Sequence, residues 1–129
     1  MRVRLAGGKM RLGFGLALVF LAATPAMAQS DCQAPIAPVA PDGRTSTQAQ
    51  MVAAAGDARN FITQSDVYQS CLVNYVKAQK DLAAKNKTPF DKFIEDEATK
   101  KIDENQAEKV KVGAEINGAI AVFKASHPN

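Results

Sequence analysis

The stretch Phe61-Ile62-Thr63-Gln64-Ser65-Asp66-Val67-Tyr68-Gln69-Ser70-Cys71-Leu72-Val73-Asn74-Tyr75-Val76 decides the fold. Its large apolar side chains fall at Phe61, Ile62, Tyr68, Leu72, Tyr75 and Val76, spacings of three and four that draw one stripe along a helix. Cys71, the later of only two cysteines, lies inside that run.

Working upstream, the stripe continues. Met51, Ala55, Ala58, Ile62, Ser65, Leu72, Val76 and Ala83 mark one edge of a buried face, and Ala54, Phe61, Tyr68, Tyr75 and Leu82 mark the adjoining edge. Thr45, Ser46 and Thr47 are candidate N-caps. The spacing predicts a first helix over about 46–85, closed by Lys85-Asn86-Lys87 with lysines beside its carbonyl end. Gly56-Asp57 and Gln64-Ser65-Asp66 are its weak points, and a break at Ser65 is the competing assignment.

Downstream, Thr88-Pro89 reads as an N-cap followed by proline at the first helical position. Asp91, Glu95, Asp96 and Glu97 then crowd the early turns, where the macrodipole favours negative charge. A second helix is expected over about 89–125, with Phe90, Phe93, Ile94, Ala98, Ile102, Val112, Ile116, Ala119, Ile120 and Phe123 on its apolar face. Residues 103–111 are nearly all polar apart from Ala107 and Val110, and 126–129 form a tail. The short link makes the helices antiparallel neighbours, with Phe90 and Phe93 facing Leu82 and Val76, and Phe123 and Ile120 beside Met51 and Ala55. Strand signals are absent. The expected class is all-α: a long antiparallel helical hairpin with an extended proline-rich N-terminal arm.

That arm covers residues 29–45. Pro35, Pro38 and Pro41 recur every third residue, the period of polyproline II, and Ile36 and Val39 form a small apolar strip on another edge. Pro41-Asp42-Gly43 is a turn signal, with proline at the second and glycine at the fourth position of a type I turn. Cys32 offers a staple to Cys71. The arm from Cys32 to Thr45 spans about 40 Å at ~3.1 Å per residue. The helix from Ser46 to Cys71 spans about 38 Å at ~1.5 Å per residue. An arm that turns back at residues 42–45 therefore meets Cys71 almost without slack, and a Cys32–Cys71 disulfide is expected. Closing a loop of about 40 residues contributes on the order of 4 kcal/mol in the chain-entropy model. Two helices alone make a thin core, so either the arm fills the groove or two chains pair as a homodimeric four-helix bundle.

Residues 1–28 have the layout of a signal peptide. Arg2, Arg4, Lys9 and Arg11 form a positive front, 12–23 is apolar, and Ala26-Met27-Ala28 suits cleavage before Gln29. The apolar core is shorter than the roughly 20 residues a bilayer needs. Periplasmic or secreted localisation follows as an expectation, with no stable membrane anchor after cleavage, and exported cysteine pairs commonly bond. The whole chain has 16 Lys+Arg against 13 Asp+Glu. Four of those bases and no acid lie in 1–28, so the remainder carries 12 bases against 13 acids. Overall charge thus gives no reason to expect a nucleic-acid partner.

Chemistry is sparse. Asp91, Glu95 and Asp96 are acidic, but bundle di-iron sites also need Glu-x-x-His motifs, and the only histidine is His127, where a solvated position is expected. Asp103 and Asn105 begin something like a calcium loop, yet Glu108 stands where glycine is required. No Gly-x-Ser-x-Gly elbow or Cys-x-x-Cys pair appears. Gly113 and Gly118 read as close-packing positions in a helix, and Glu104 and Glu108 as a solvated face beside Lys100, Lys101, Lys109 and Lys111. The chain is expected not to be an enzyme, with no catalytic residue, cofactor or metal. Tyr68 and Tyr75 read as core aromatics; as an alternative they line a closed apolar ligand cavity under the arm.

On Pro41-Asp42-Gly43, Met51, Phe61 and Tyr68-Gln69-Ser70-Cys71-Leu72, the pattern resembles a group of small uncharacterised exported proteins of proteobacteria. The resemblance covers about residues 32–80 and implies a periplasmic setting with no known activity. The leading expectation is a non-catalytic structural or protein-interaction protein, its partner another protein or a second copy. The alternative is a small periplasmic stress-type chaperone that exposes apolar surface.

Overall fold

The computed structural model describes residues 31–128; the expected signal peptide, the start of the arm and the last residue lie outside them. Two helices, α1 (Gln48–Lys85) and α2 (Lys92–Ser126), pack against each other, and among the described residues there is no strand. The fold is the all-α hairpin with its extended arm. The arm is stapled by a Cys32–Cys71 disulfide whose Cα atoms are 5.8 Å apart.

α1 starts at a capping box. The Thr47 side chain accepts from the Gln50 N–H (3.2 Å), and the Gln50 side chain accepts from the Thr47 N–H (2.8 Å). The helix is unbroken through Gly56 and Ser65, so the alternative break at Ser65 does not occur. Ser65 is instead fully buried, and its hydroxyl meets a polar partner on α2. The buried set Met51, Ala58, Ser65 and Leu72 repeats every seven residues, with Phe61 and Tyr68 as the second register. α2 answers with Ala98, Asn105, Val112 and Ala119 at the same period.

The link between the helices differs from expectation. Lys87 adopts the left-handed conformation (φ 53°), its N–H donates to Ala84 O, and the Thr88 N–H donates to Ala83 O. That double bond pattern is a Schellman motif. Thr88 is thus consumed in ending α1 and does not cap α2. Asp91 does so, its carboxylate accepting from the Phe93 N–H at 3.0 Å, and α2 begins at Lys92 rather than at 89.

The later start leaves Phe90 outside the helix. Phe93 is 60% exposed and Leu82 52%, so neither is closed into the seam at this end. Phe93 precedes Ala98 by five residues, about 140° round an α-helix, which carries it off the seam. Phe90 lies instead under the Lys80 ammonium, 5.3 Å from its ring centroid. At the other end Met51, Val112, Ile116 and Ala119 are buried, and Ile120, Ala54 and Ala55 pack on the Ala58/Phe61/Val112/Ile116 cluster as expected.

Candidate functional site

The geometry that lends itself to a function is that of the arm, its clasp and the seam beneath. The arm lies in the groove between α1 and α2. Ala37 and Ala40 pack on the Ala58/Phe61/Val112/Ile116 cluster, and Cys32 packs with Val76 and Ile102 on the Tyr68/Leu72/Ala98 cluster. The inner edge is therefore Ala37, Ala40 and Gly43, every third residue as polyproline II requires. Ile36 and Val39, an apolar strip suited to a groove, point away from this one and are 93% and 90% exposed. Only small side chains let an extended backbone settle between two helices.

Gly43 shows how tight the fit is. A Cβ there would lie 2.2 Å from Ala119 O and 2.7 Å from Phe123 N, so the turn is wedged directly on the backbone of α2. The turn runs Asp42 to Thr45, two residues later than the proline placement implied, with Thr45 N–H donating to Asp42 O at 3.3 Å. Asp42 organises it. Its carboxylate accepts from the Arg44 N–H (2.9 Å), and its carbonyl accepts from the Ser46 N–H (3.0 Å) and hydroxyl (2.7 Å).

Across the middle of the hairpin runs a polar layer. Asn105, 5% exposed, donates through Nδ2 to Ser65 Oγ at 3.1 Å and accepts at Oδ1 from Gln69 Nε2 at 2.9 Å. The Lys109 ammonium pairs with the Asp66 carboxylate just outside, and Lys80 reaches Glu95 at 2.7 Å further along. These cross-links share one antiparallel register. The Lys80 hydrogen bond and, less, its charge hold the Glu95 carboxyl below its ordinary value. Asn105 is hidden inside a polar run of the sequence, although its seven-residue spacing from Ala98 and Val112 marks it as a seam position.

The remaining sequence-predicted groups scatter. Asp91 caps α2, Glu95 pairs with Lys80, and Asp96 lies 3.7 Å from Lys92. Among the described residues no group of three or more His, Cys, Asp or Glu is placed to hold a metal. His127 is exposed, as expected, yet it also helps to finish α2. Its ring stacks on Phe123 with centroids 4.4 Å apart, and its N–H donates to Phe123 O. Gly113 and Gly118 are not close-packing positions, since a Cβ on either would meet nothing within 4 Å.

Tyr68 is buried against Leu72 and Ala98, and burial, aided by the negative Glu104, pushes its phenol up from the ordinary 10.0. Tyr75 instead lines an open surface depression with Asp31, Val67, Asn74 and both cysteines. Tyr68 does not line that depression, which therefore does not bring the two tyrosines together. No helix among the described residues is long and apolar enough to cross a membrane. No protein-family model, curated protein or solved structure matches this chain.

Proposed function

We propose that the protein is a non-catalytic, exported interaction protein that uses its stapled arm as a rigid contact edge. The observation that supports this most directly is the placement of Ile36 and Val39. A segment held at both ends, by the disulfide and by the wedged Gly43, presents two almost fully exposed β-branched side chains outward. Holding the segment rigid in advance lowers the ordering cost of binding. The proposal includes cleavage before Gln29 and delivery to the periplasm or medium, where the disulfide would persist; N-terminal sequencing of the protein recovered from the envelope tests that part.

The interaction itself is tested by affinity capture from periplasmic extract, with native mass measured in parallel to register self-association. A stoichiometric partner, a second copy included, is expected for the wild type, and the Ile36→Asp, Val39→Asp double variant is expected to lose it. Absence of any stoichiometric partner, or equal capture by the variant, contradicts the proposal. A second reading, a small stress-type chaperone, draws on the Ala58/Phe61/Val112/Ile116 cluster that the arm covers. An aggregation assay with a client protein at neutral and acid pH separates the two, since unchanged aggregation under both conditions removes the chaperone.

A further inference from the structure

We infer that the Cys32–Cys71 disulfide is a redox-operated latch: its reduction frees residues 32–41 to swing out about the Asp42–Ser46 turn and opens the interhelical groove, while the helical hairpin persists. The inference stands on the clasp and its surroundings, whichever partner the protein has.

Four observations carry it. First, the arm's attachment is uneven. Among the described residues its hydrogen bonds cluster in the turn from Asp42 onward, where Gly43 is wedged against Ala119 and Phe123. Between Cys32 and Pro41 the hold is apolar and only partly buried: Ala37 and Ala40 pack on the seam and Pro35, Pro38 and Pro41 are half-covered, while Ile36 and Val39 face solvent. Two alanines and three half-covered prolines bury too little apolar surface to offset the backbone entropy of ordering some ten residues, even with the prolines reducing that entropy. The disulfide supplies the difference at the arm's far end.

Second, the sulfurs can be reached. Cys32 and Cys71 are both half-buried and line the same open depression, on the outer surface beside Val67 and Asn74. A thiolate can approach there without prior opening of the hairpin.

Third, the hairpin has bonds of its own. The Ser65–Asn105–Gln69 layer and the Asp66–Lys109 and Lys80–Glu95 pairs join α1 to α2 without involving the arm. Fourth, what the arm covers is apolar, the Phe61/Val112/Ile116 cluster, so its departure changes the surface rather than merely loosening a terminus.

The chemistry balances with a dithiol as reductant. Its thiolate attacks one cysteine sulfur, and the electron pair of the S–S bond leaves on the other. The second thiol of the reductant then closes on the first, expelling the remaining cysteine. The protein gains two electrons and two protons as two thiols, and the reductant leaves as a disulfide.

The test is backbone 15N relaxation on the full mature chain, oxidised and after dithiothreitol, with the Cys32→Ser, Cys71→Ser variant as a reductant-free counterpart. Oxidised protein is expected to show order parameters near 0.85 at Ala37 and Ala40, and the reduced protein and the variant values below about 0.6, the range of flexible backbone. Amides of α1 and α2 stay in the rigid range, the far-ultraviolet circular dichroism is retained, and binding of an apolar fluorescent dye rises several-fold. Rigid Ala37 and Ala40 after reduction would overturn the latch, because the contacts alone would then hold the arm. Loss of helical order together with the arm would overturn it equally, because the disulfide would then be a staple for the whole fold.

Discussion

Gly43 is the residue on which the arm's path depends most sharply. Its φ is not positive, so its role is proximity: no other residue fits between the turn and the α2 backbone. Gly43→Ala is expected to lower stability by about 2 kcal/mol, in the range of overpacking costs, read as a fall in the urea midpoint. Tyr68 adds a pH dependence. Its phenol ionises at higher pH in the folded chain than in the unfolded one, so the stability it contributes is complete below pH 10.0 and is lost as pH rises through the folded value. The urea midpoint is accordingly expected to fall more steeply above that pH for the wild type than for Tyr68→Phe. At this scale the apolar seam was legible from spacing, because Phe61, Leu72, Val112 and Ile116 bury themselves at helical periods. Asn105 was not, since a polar residue declares itself buried only through the partners that satisfy it, here Ser65 and Gln69.

For the elements, the hairpin, both cysteines and the short link were readable, whereas the start of α2 and the inward edge of the arm were not. Proline at 89 suits the first turn of a helix, but the Schellman bonds to Ala83 and Ala84 take Thr88 first, and the cap falls to Asp91. Likewise hydrophobicity favours Ile36 and Val39 inside, yet groove width selects Ala37, Ala40 and Gly43. Lys87 carries a left-handed backbone that glycine adopts without steric cost. Lys87→Gly is therefore expected to stabilise the protein by about 1 kcal/mol, seen as a raised urea midpoint. The polar layer sets how the elements pair. Asn105→Ala strands Ser65 and Gln69 and is expected to cost about 2 kcal/mol. Replacing both buried positions, Ser65→Ala with Asn105→Leu, removes the Ser65–Asn105 pair together and leaves half-buried Gln69 its contact with Gln106, so it is expected to recover most of that loss. The same denaturation series checks both, and equal loss in the single and double variants would show that the layer is not a coupled unit.

Among the described residues the molecule is a two-helix hairpin whose third packing element is an extended proline-rich arm, completed by one covalent bond. With 38 and 35 residues, the helices are long relative to the core between them. The arm thickens the seam from the α1 N-terminus and the α2 C-terminus as far as the Tyr68/Leu72/Ala98 cluster. Residues near the link, Leu82 and Phe93 among them, remain exposed. This division, one half braced by the arm and the other by Lys80 pairing with Glu95, makes the bond at Cys71 the junction between them. The most direct test is tryptic mapping of the native, alkylated protein without reductant. The fragment containing Cys32 and ending at Arg44 is expected to be bonded to fragment 60–77, and both are expected to separate on reduction. Alkylated Cys32 and Cys71 in separate fragments before any reductant is added would contradict the stapled arm, and the architecture with it.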